Sequence, residues 1–235
     1  MARKLSAIGF DADDTLWHNE RLFQMTQSYF AELLADYTDR ETLMERLLAA
    51  ERRNLGHYGF GVKGFTLSMI ETAIEVTQGK VAASVIERLL EAGRDMLRHP
   101  VELLPHARDA VQFARQEHVI ILITKGDLLD QERKLAQSGL GDLFHGIEIV
   151  SDKTPQQYSE IFAHHATGVA QGLMIGNSLR SDVFPMIEAG GRGVFVPHGH
   201  EWALEHAAPP TDHPRYHALA DLSGFATLIR KIEHG

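Results

Sequence analysis

The apolar positions of this 235-residue chain change their period along its length. Ala7, Ile8 and Phe10 form a short apolar run that stops at three acids, Asp11, Asp13 and Asp14. A run that short, ending at turn-forming residues, predicts a strand. Beyond Leu16 the spacing becomes helical, with Leu22, Phe23, Tyr29, Phe30, Leu33, Leu34 and Tyr37 recurring on one face. Thr38 and Glu41 have capping-box spacing and predict a new helix start, continued by Leu43, Met44, Leu47 and Leu48. Gly56, Gly59, Gly61 and Gly64 then interrupt the pattern. Two more helical stretches follow, Phe65 to Val76 and Val81 to Leu97.

From there strands and helices alternate. Ala107 to Glu117 predicts a helix, with Pro105 suited to its first turn. Val119 to Ile123 is continuously apolar, as expected of a strand buried on both faces. Leu128 to Ser138 predicts a helix, with Gly139 as its C-cap. The remaining units are strand Ile147 to Val150, helix Pro155 to His165, strand Gly172 to Ile175, helix Ser181 to Ala189 and strand Gly193 to Val196. Residues from His198 to Tyr216, rich in His and Pro, read as loop, and Leu222 to Ile232 as a closing helix. The alternation predicts an α/β fold, a parallel sheet covered on both faces. It divides the chain into an α/β core, residues 1–17 and 101–235, and an all-helical insert, residues 18–100.

Composition narrows the function classes. A formal charge of -9 argues against a nucleic-acid backbone as partner, while leaving room for a small anion at a locally positive site. The absence of cysteine excludes disulfides, a thiol nucleophile and thiolate metal sites. No stretch approaches the roughly 20 apolar residues of a membrane helix. The apolar run after the basic Met1–Lys4 is too short for a signal peptide, so the expectation is a soluble, cytoplasmic protein. His198, His200 and His206 fall in the predicted loop, with no element to hold them together. They read as scattered surface residues.

The acids carry the chemistry. If the chain stays extended past Phe10, Asp11 and Asp13 face the same way, at the carboxyl end of a strand, where open α/β sheets bind ligands. Two close carboxylates repel unless a cation or shared proton compensates. The pair thus suggests a divalent metal, an acid/base couple, both, or a solvated turn. Thr124-Lys125-Gly126 follows the strand ending at Ile123, Lys153 precedes the helix at Pro155, and Gly176 to Asp182 follows the strand ending at Ile175. If these strands are neighbours, all converge on the Asp11 edge.

In order and spacing these residues resemble the haloacid dehalogenase superfamily of hydrolases. Asp11-Ala12-Asp13-Asp14-Thr15-Leu16 matches that family's first motif, Ile121-Leu122-Ile123-Thr124 the second, Lys153 the third and Gly176 to Asp182 the fourth. The resemblance implies a Rossmann-like core with a helical cap of the first cap class. It also implies a Mg²⁺-dependent phosphatase acting on a small phosphate monoester through an aspartyl-phosphate. Asp11 would be the nucleophile, Asp13 the general acid and base, and Thr124, Lys125 and Lys153 the phosphate-binding residues. Asp11, the Asp13 carbonyl, Asn177 and Asp182 would surround the metal. Asn177 stands where the family usually has Asp, which removes one charge from that set. Dehalogenating members resemble phosphatases but lack the acid at the Asp13 position, so Asp13 favours phosphoryl transfer. Lys63, between the glycines of the insert, is the candidate cap residue for substrate. The partner implied is a small phosphorylated metabolite, with no nucleic acid and no membrane. The alternatives are a phosphomutase with the same nucleophile and a non-catalytic binding protein on the same fold.

Overall fold

The computed structural model describes residues 4–199 and 202–234. His200 and Met1–Arg3, named above, lie outside them. In chain order the elements are β1 (Ala7–Phe10), α1 (Glu20–Leu33), α2 (Arg40–Tyr58), α3 (Val62–Val76), α4 (Ala83–Arg98), α5 (Ala107–Arg115), β2 (Val119–Lys125) and α6 (Leu128–Ser138). They continue as β3 (Gly146–Val150), α7 (Pro155–His165), β4 (Gly172–Gly176), α8 (Phe184–Glu188), β5 (Arg192–Phe195), β6 (Tyr216–Ala218) and α9 (Phe225–His234). The chain divides into two compact units. One comprises Met1–Glu20, Val101–Lys125 and Gln131–Gly235; the other comprises Arg21–Pro100 and Gly126–Asp130.

The first unit is a six-stranded sheet in the order β3-β2-β1-β4-β5-β6, parallel throughout. This is the doubly wound α/β architecture, and its strand order reverses between β1 and β4. Every residue of β1 is buried, because helices cover both faces of the sheet and a central strand meets apolar neighbours on each. Ile8, Phe10, Ile120, Leu122, Leu173 and Ile175 pack with α5 and α9 through Ala110, Val111, Phe225 and Ile229. Ala7, Ile121, Ile123 and Met174 alternate to the other face, against Tyr158, Ile161 and Phe162 of α7. No helix among the described residues is long and apolar enough to cross a membrane.

The second unit has its own core of Phe30, Leu34, Leu43, Leu47, Phe65, Met69 and Leu89, drawn from α1 to α4. Its local chemistry differs from expectation at the start of α2. Asp39, not Thr38, is the N-cap, its side chain accepting from the Thr42 N–H at 2.9 Å. The Thr38 N–H still reaches back to the Leu34 carbonyl at 3.2 Å, so the preceding turn holds that residue. Pro105 likewise lies outside α5, which begins at Ala107. The expected helix at Ser181 to Ala189 is a π-helical turn, Leu179–Val183, leading into the short α8. The loop read from His198 to Tyr216 gives way to β6, whose three residues are too few to show a period.

Gly93 and Gly56 separate propensity from packing. A Cβ on Gly93 of α4 would overlap the Thr66 hydroxyl of α3 and lie 3.1 Å from its methyl. That hydroxyl is pinned to the Val62 carbonyl at 2.8 Å. Gly56 of α2 has nothing within 4 Å of such a Cβ. Gly56→Ala is therefore expected to gain about 0.5–1 kcal/mol of helix stability. Gly93→Ala is expected to lose about 1–3 kcal/mol to overpacking, with much of that loss recovered in Gly93→Ala/Thr66→Ala. Denaturant unfolding measures both, and a stabilised Gly93→Ala would refute the close α3–α4 packing.

Candidate active site

The reversal between β1 and β4 places Asp11 and Asn177 side by side. Phe10 is in register with Ile175, and the Asp11 N–H donates to the Ile175 carbonyl at 2.9 Å. On the other side Phe10 pairs with Leu122, so Thr124, next to last in β2, lies beside the same edge. The crevice outside the strand ends at such a reversal is where doubly wound sheets bind ligands.

Lys153 anchors the cluster. Its ammonium donates to Asp11 Oδ1 at 2.6 Å and to Asp182 Oδ1 at 2.7 Å. All three side chains are buried, and Lys153 is only 2% exposed. Burial works against the ammonium, but the two carboxylates outweigh it and push its pKa up. Burial pushes the Asp11 carboxyl up to about 7, with Lys153 pulling it back and Asp182 adding to the rise. With both carboxyls ionised, one ammonium cannot offset them, and the trio then carries a net negative charge that a cation would neutralise.

The π-helical turn sets Asp182. Its Oδ2 accepts from the Ser178 N–H at 3.0 Å while its Oδ1 holds Lys153. Asp182, expected among the metal ligands, thus has one oxygen on Lys153 and the other on the Ser178 N–H. Tyr158 supports the turn from α7, its hydroxyl donating to the Ser181 carbonyl at 2.9 Å. Such turns widen the helix locally and recur at functional sites.

Oxygens converge on the other side of Asp11. Asp11 Oδ2 accepts from the Thr15 hydroxyl at 2.8 Å, and that hydroxyl accepts from the Asn177 N–H at 3.0 Å. The Asn177 side-chain oxygen faces Asp11 Oδ2 and the Asp13 carbonyl, and turning the amide over would let its nitrogen donate to both at 3.2 Å. As it stands, the amide offers its oxygen beside those two. An all-oxygen set at this spacing suits Mg²⁺, which takes oxygen ligands and keeps several waters.

Asp13 is held apart from Asp11, by residues the sequence reading did not single out. Lys134 donates to both Asp13 oxygens at 3.0 Å. Gln131 Nε2 donates to Oδ2 at 2.9 Å and Trp17 Nε1 to Oδ1 at 2.7 Å. Gln131 and Lys134 lie three apart on α6 and so share a face. That spacing, just after Thr124, was the signal available. The Thr124 hydroxyl donates to Gln131 Oε1 at 3.4 Å. Lys125, expected to bind phosphate, donates to the Ser181 hydroxyl at 2.6 Å and is ion-paired with Glu205. Burial pushes the Glu205 carboxyl up, but Lys125, Ser178 and Ser181 outweigh it and hold it below its usual range. Lys63 belongs to the helical unit, where it pairs with Asp127 at 2.8 Å.

Asp14 has a left-handed backbone (φ 60°) and accepts from the Asn19 and Glu20 N–H groups at 2.9 and 2.8 Å. Burial pushes its carboxyl up to about 7 against those donors. His198 is not at the surface as expected; its side chain is 6% exposed and its Nδ1 lies 3.2 Å from Asp14 Oδ1.

The sequence profile of haloacid dehalogenase-like hydrolases matches residues 5–190. No curated protein matches the chain. Among solved structures, a haloacid dehalogenase-like family hydrolase from Xanthomonas campestris is 42% identical, with a TM-score of 0.88 over 99% of this chain and 93% of that one. A Bacillus subtilis protein described as a HAD-hydrolase and bound to magnesium is 16% identical, with a TM-score of 0.66 over 96% and 98%. A 2-haloacid dehalogenase from Pseudomonas syringae pv. Tomato DC3000 is 16% identical, with a TM-score of 0.60 over 97% and 99%. The last two likenesses are of fold alone.

Gly176 tests the geometry. A Cβ there would overlap the Asp182 carboxylate. Gly176→Ala is expected to cost about 1–3 kcal/mol in the parent and less in an Asp182→Ala background, where the carboxylate is gone and only the Asp182 Cβ, 2.8 Å away, remains. Chemical denaturation of the four proteins closes the cycle, and equal costs in both backgrounds would show that Asp182 does not pack on Gly176.

Proposed function

The chain belongs to the haloacid dehalogenase-like hydrolases, and on that premise we propose that it is a Mg²⁺-dependent phosphatase for a small phosphate monoester. The observation that carries the reading is a second carboxylate, Asp13, held by Lys134, Gln131 and Trp17 independently of Asp11. A halide leaves carbon without needing a proton. The alkoxide of a phosphate ester does need one, and a positioned acid supplies it.

In this mechanism Asp11 attacks phosphorus as the ester P–O bond breaks, and Asp13 gives its proton to the departing oxygen. The product is an aspartyl-phosphate. Asp13 then takes a proton from water as that water attacks phosphorus, which releases phosphate and regenerates Asp11. Lys153 offsets charge on Asp11 and on the incoming anion. The Thr124 hydroxyl donates to a phosphoryl oxygen in place of Gln131. Asp11, the Asp13 carbonyl and the Asn177 amide oxygen would hold Mg²⁺, which would supply positive charge against the phosphate. With an amide where a carboxylate is usual, that set binds the ion more weakly. Lys125 assists phosphate binding only by leaving Glu205. Specificity is assigned to the helical unit, with Lys63 as its candidate cation toward substrate.

The test is phosphate release from a panel of small monoesters, run beside chloride release from 2-chloropropionate. The expected result is Mg²⁺-dependent phosphate release that a chelator abolishes and Asp11→Asn lowers by about 10³-fold or more. Chloride release without phosphate release would reverse the reading. Conversion of the ester to its isomer without free phosphate would identify a mutase.

A further inference from the structure

Asp14, His18 and His198 form a second polar cluster that the chemistry above does not use. Asp14 Oδ1 lies 3.2 Å from His198 Nδ1. On the other edge of the same ring, His198 Nε2 lies 3.2 Å from His18 Nδ1. One ligand atom from each residue can be chosen so that all three fall within 4.8 Å of one another. Among the described residues no other three His, Asp or Glu side chains meet in this way. Asp14 and His198 are both 6% exposed at the side chain, and the two imidazoles meet edge to face, their centroids 5.3 Å apart.

We infer that Asp14, His18 and His198 form a binding site for a divalent transition-metal ion, with Zn²⁺ the best-fitting class. The ligand set is one carboxylate and two imidazoles, the mixture that suits Zn²⁺ and its neighbours, whereas Mg²⁺ takes oxygen. Zinc–nitrogen bonds of about 2.0–2.1 Å in a tetrahedron set ligand atoms roughly 3.3 Å apart. The two 3.2 Å contacts reach opposite nitrogens of the His198 ring, so only one of them can be an edge of that tetrahedron; one ligand atom from each residue lies within 4.8 Å of the other two, and side-chain rotation closes the remaining edges. Three protein ligands leave the fourth position for water. The backbone supports the arrangement, since Asp14 is fixed by its left-handed conformation and by the Asn19 and Glu20 N–H groups. Those donors leave carboxylate lone pairs available.

The site would act as a clip. Asp14 and His18 follow β1, and His198 follows β5, which are not neighbours because β4 lies between them. An ion joining the two loops would cross the end of β4, just where Asn177 meets Asp11. It would tie the loop after β5 to the loop that carries the nucleophile. The sites would take different ions, so occupancy of one is measurable with the other saturated.

The experiment is isothermal titration of Zn²⁺ into tag-free, chelator-treated protein in excess Mg²⁺, with bound metal counted by mass spectrometry after gel filtration. The expected outcome is one Zn²⁺ per chain, with His18→Gln and His198→Gln each weakening binding by about 100-fold or more. A lost ligand should cost at least what a lost supporting residue does. Asp11→Asn and His164→Ala should bind Zn²⁺ as the parent does, the first because Asp11 is outside the ligand set. Circular dichroism and melting confirm that each variant is folded, with His198→Ala as a second substitution at that position. Absence of Zn²⁺ uptake by the parent, or uptake unchanged in folded His18 and His198 variants, overturns the site. Neither readout uses phosphate release, so the outcome is separate from that of the phosphatase reading.

Discussion

The Lys153 ammonium between Asp11 and Asp182 is the contact on which the site depends. Each carboxylate sits at the end of a different βα unit, and Lys153 precedes a third. Buried ions are costly unless paired and hydrogen-bonded. The pairing can exist only if β1, β4 and α7 are set as the parallel sheet sets them. Removing Lys153 would leave two carboxylates facing one another with no cation between them. With both carboxyls ionised the same trio is one charge short of neutrality, which makes its surroundings receptive to a cation and leaves Asp11 available to react.

A second constraint is separation. Asp11 and Asp13 are two residues apart, yet they answer to different partners. Lys153 and Thr15 hold Asp11, while Lys134, Gln131 and Trp17 hold Asp13. Adjacent carboxylates can divide two roles only when their environments differ. α6 supplies most of that difference, because Gln131 and Lys134 point from one face of it toward the end of β1. Glu205, in the loop after β5, adds a further layer by occupying Lys125, Ser181 of the π-helical turn and Ser178, which caps it.

The helical unit is governed by simpler physics. Its apolar stripes close into a core of their own, and the α3–α4 contact is close because Gly93 has no side chain to hold Thr66 away. Asn54 links to Ser68 and Glu71 within that unit at 3.1 and 2.9 Å, so its buried amide is satisfied. Only chain order marks this block as an insertion between β1 and the rest of the sheet.

Hydrophobic periodicity by itself determined most of the elements. The bounds of α6 and α7 coincide with those read from the sequence, and β1, β2, β4 and β5 lie within two residues of expectation. Burial on both faces writes a continuous apolar run, and helices write a 3.6-residue repeat. The parallel α/β class followed from their alternation. Asp11, Thr124, Lys153, Asn177 and Asp182 were legible as residues at element ends, although their distances were not. Only the tertiary structure decided strand order, the π-helical turn and the partners of Asp13. It also decided the meeting of His198 with Asp14 and His18, 180 residues away in the case of His18. A local pattern records which way a side chain faces along its own element. Which distant side chain it meets is set by how the elements pack, and no periodicity within a short window encodes that.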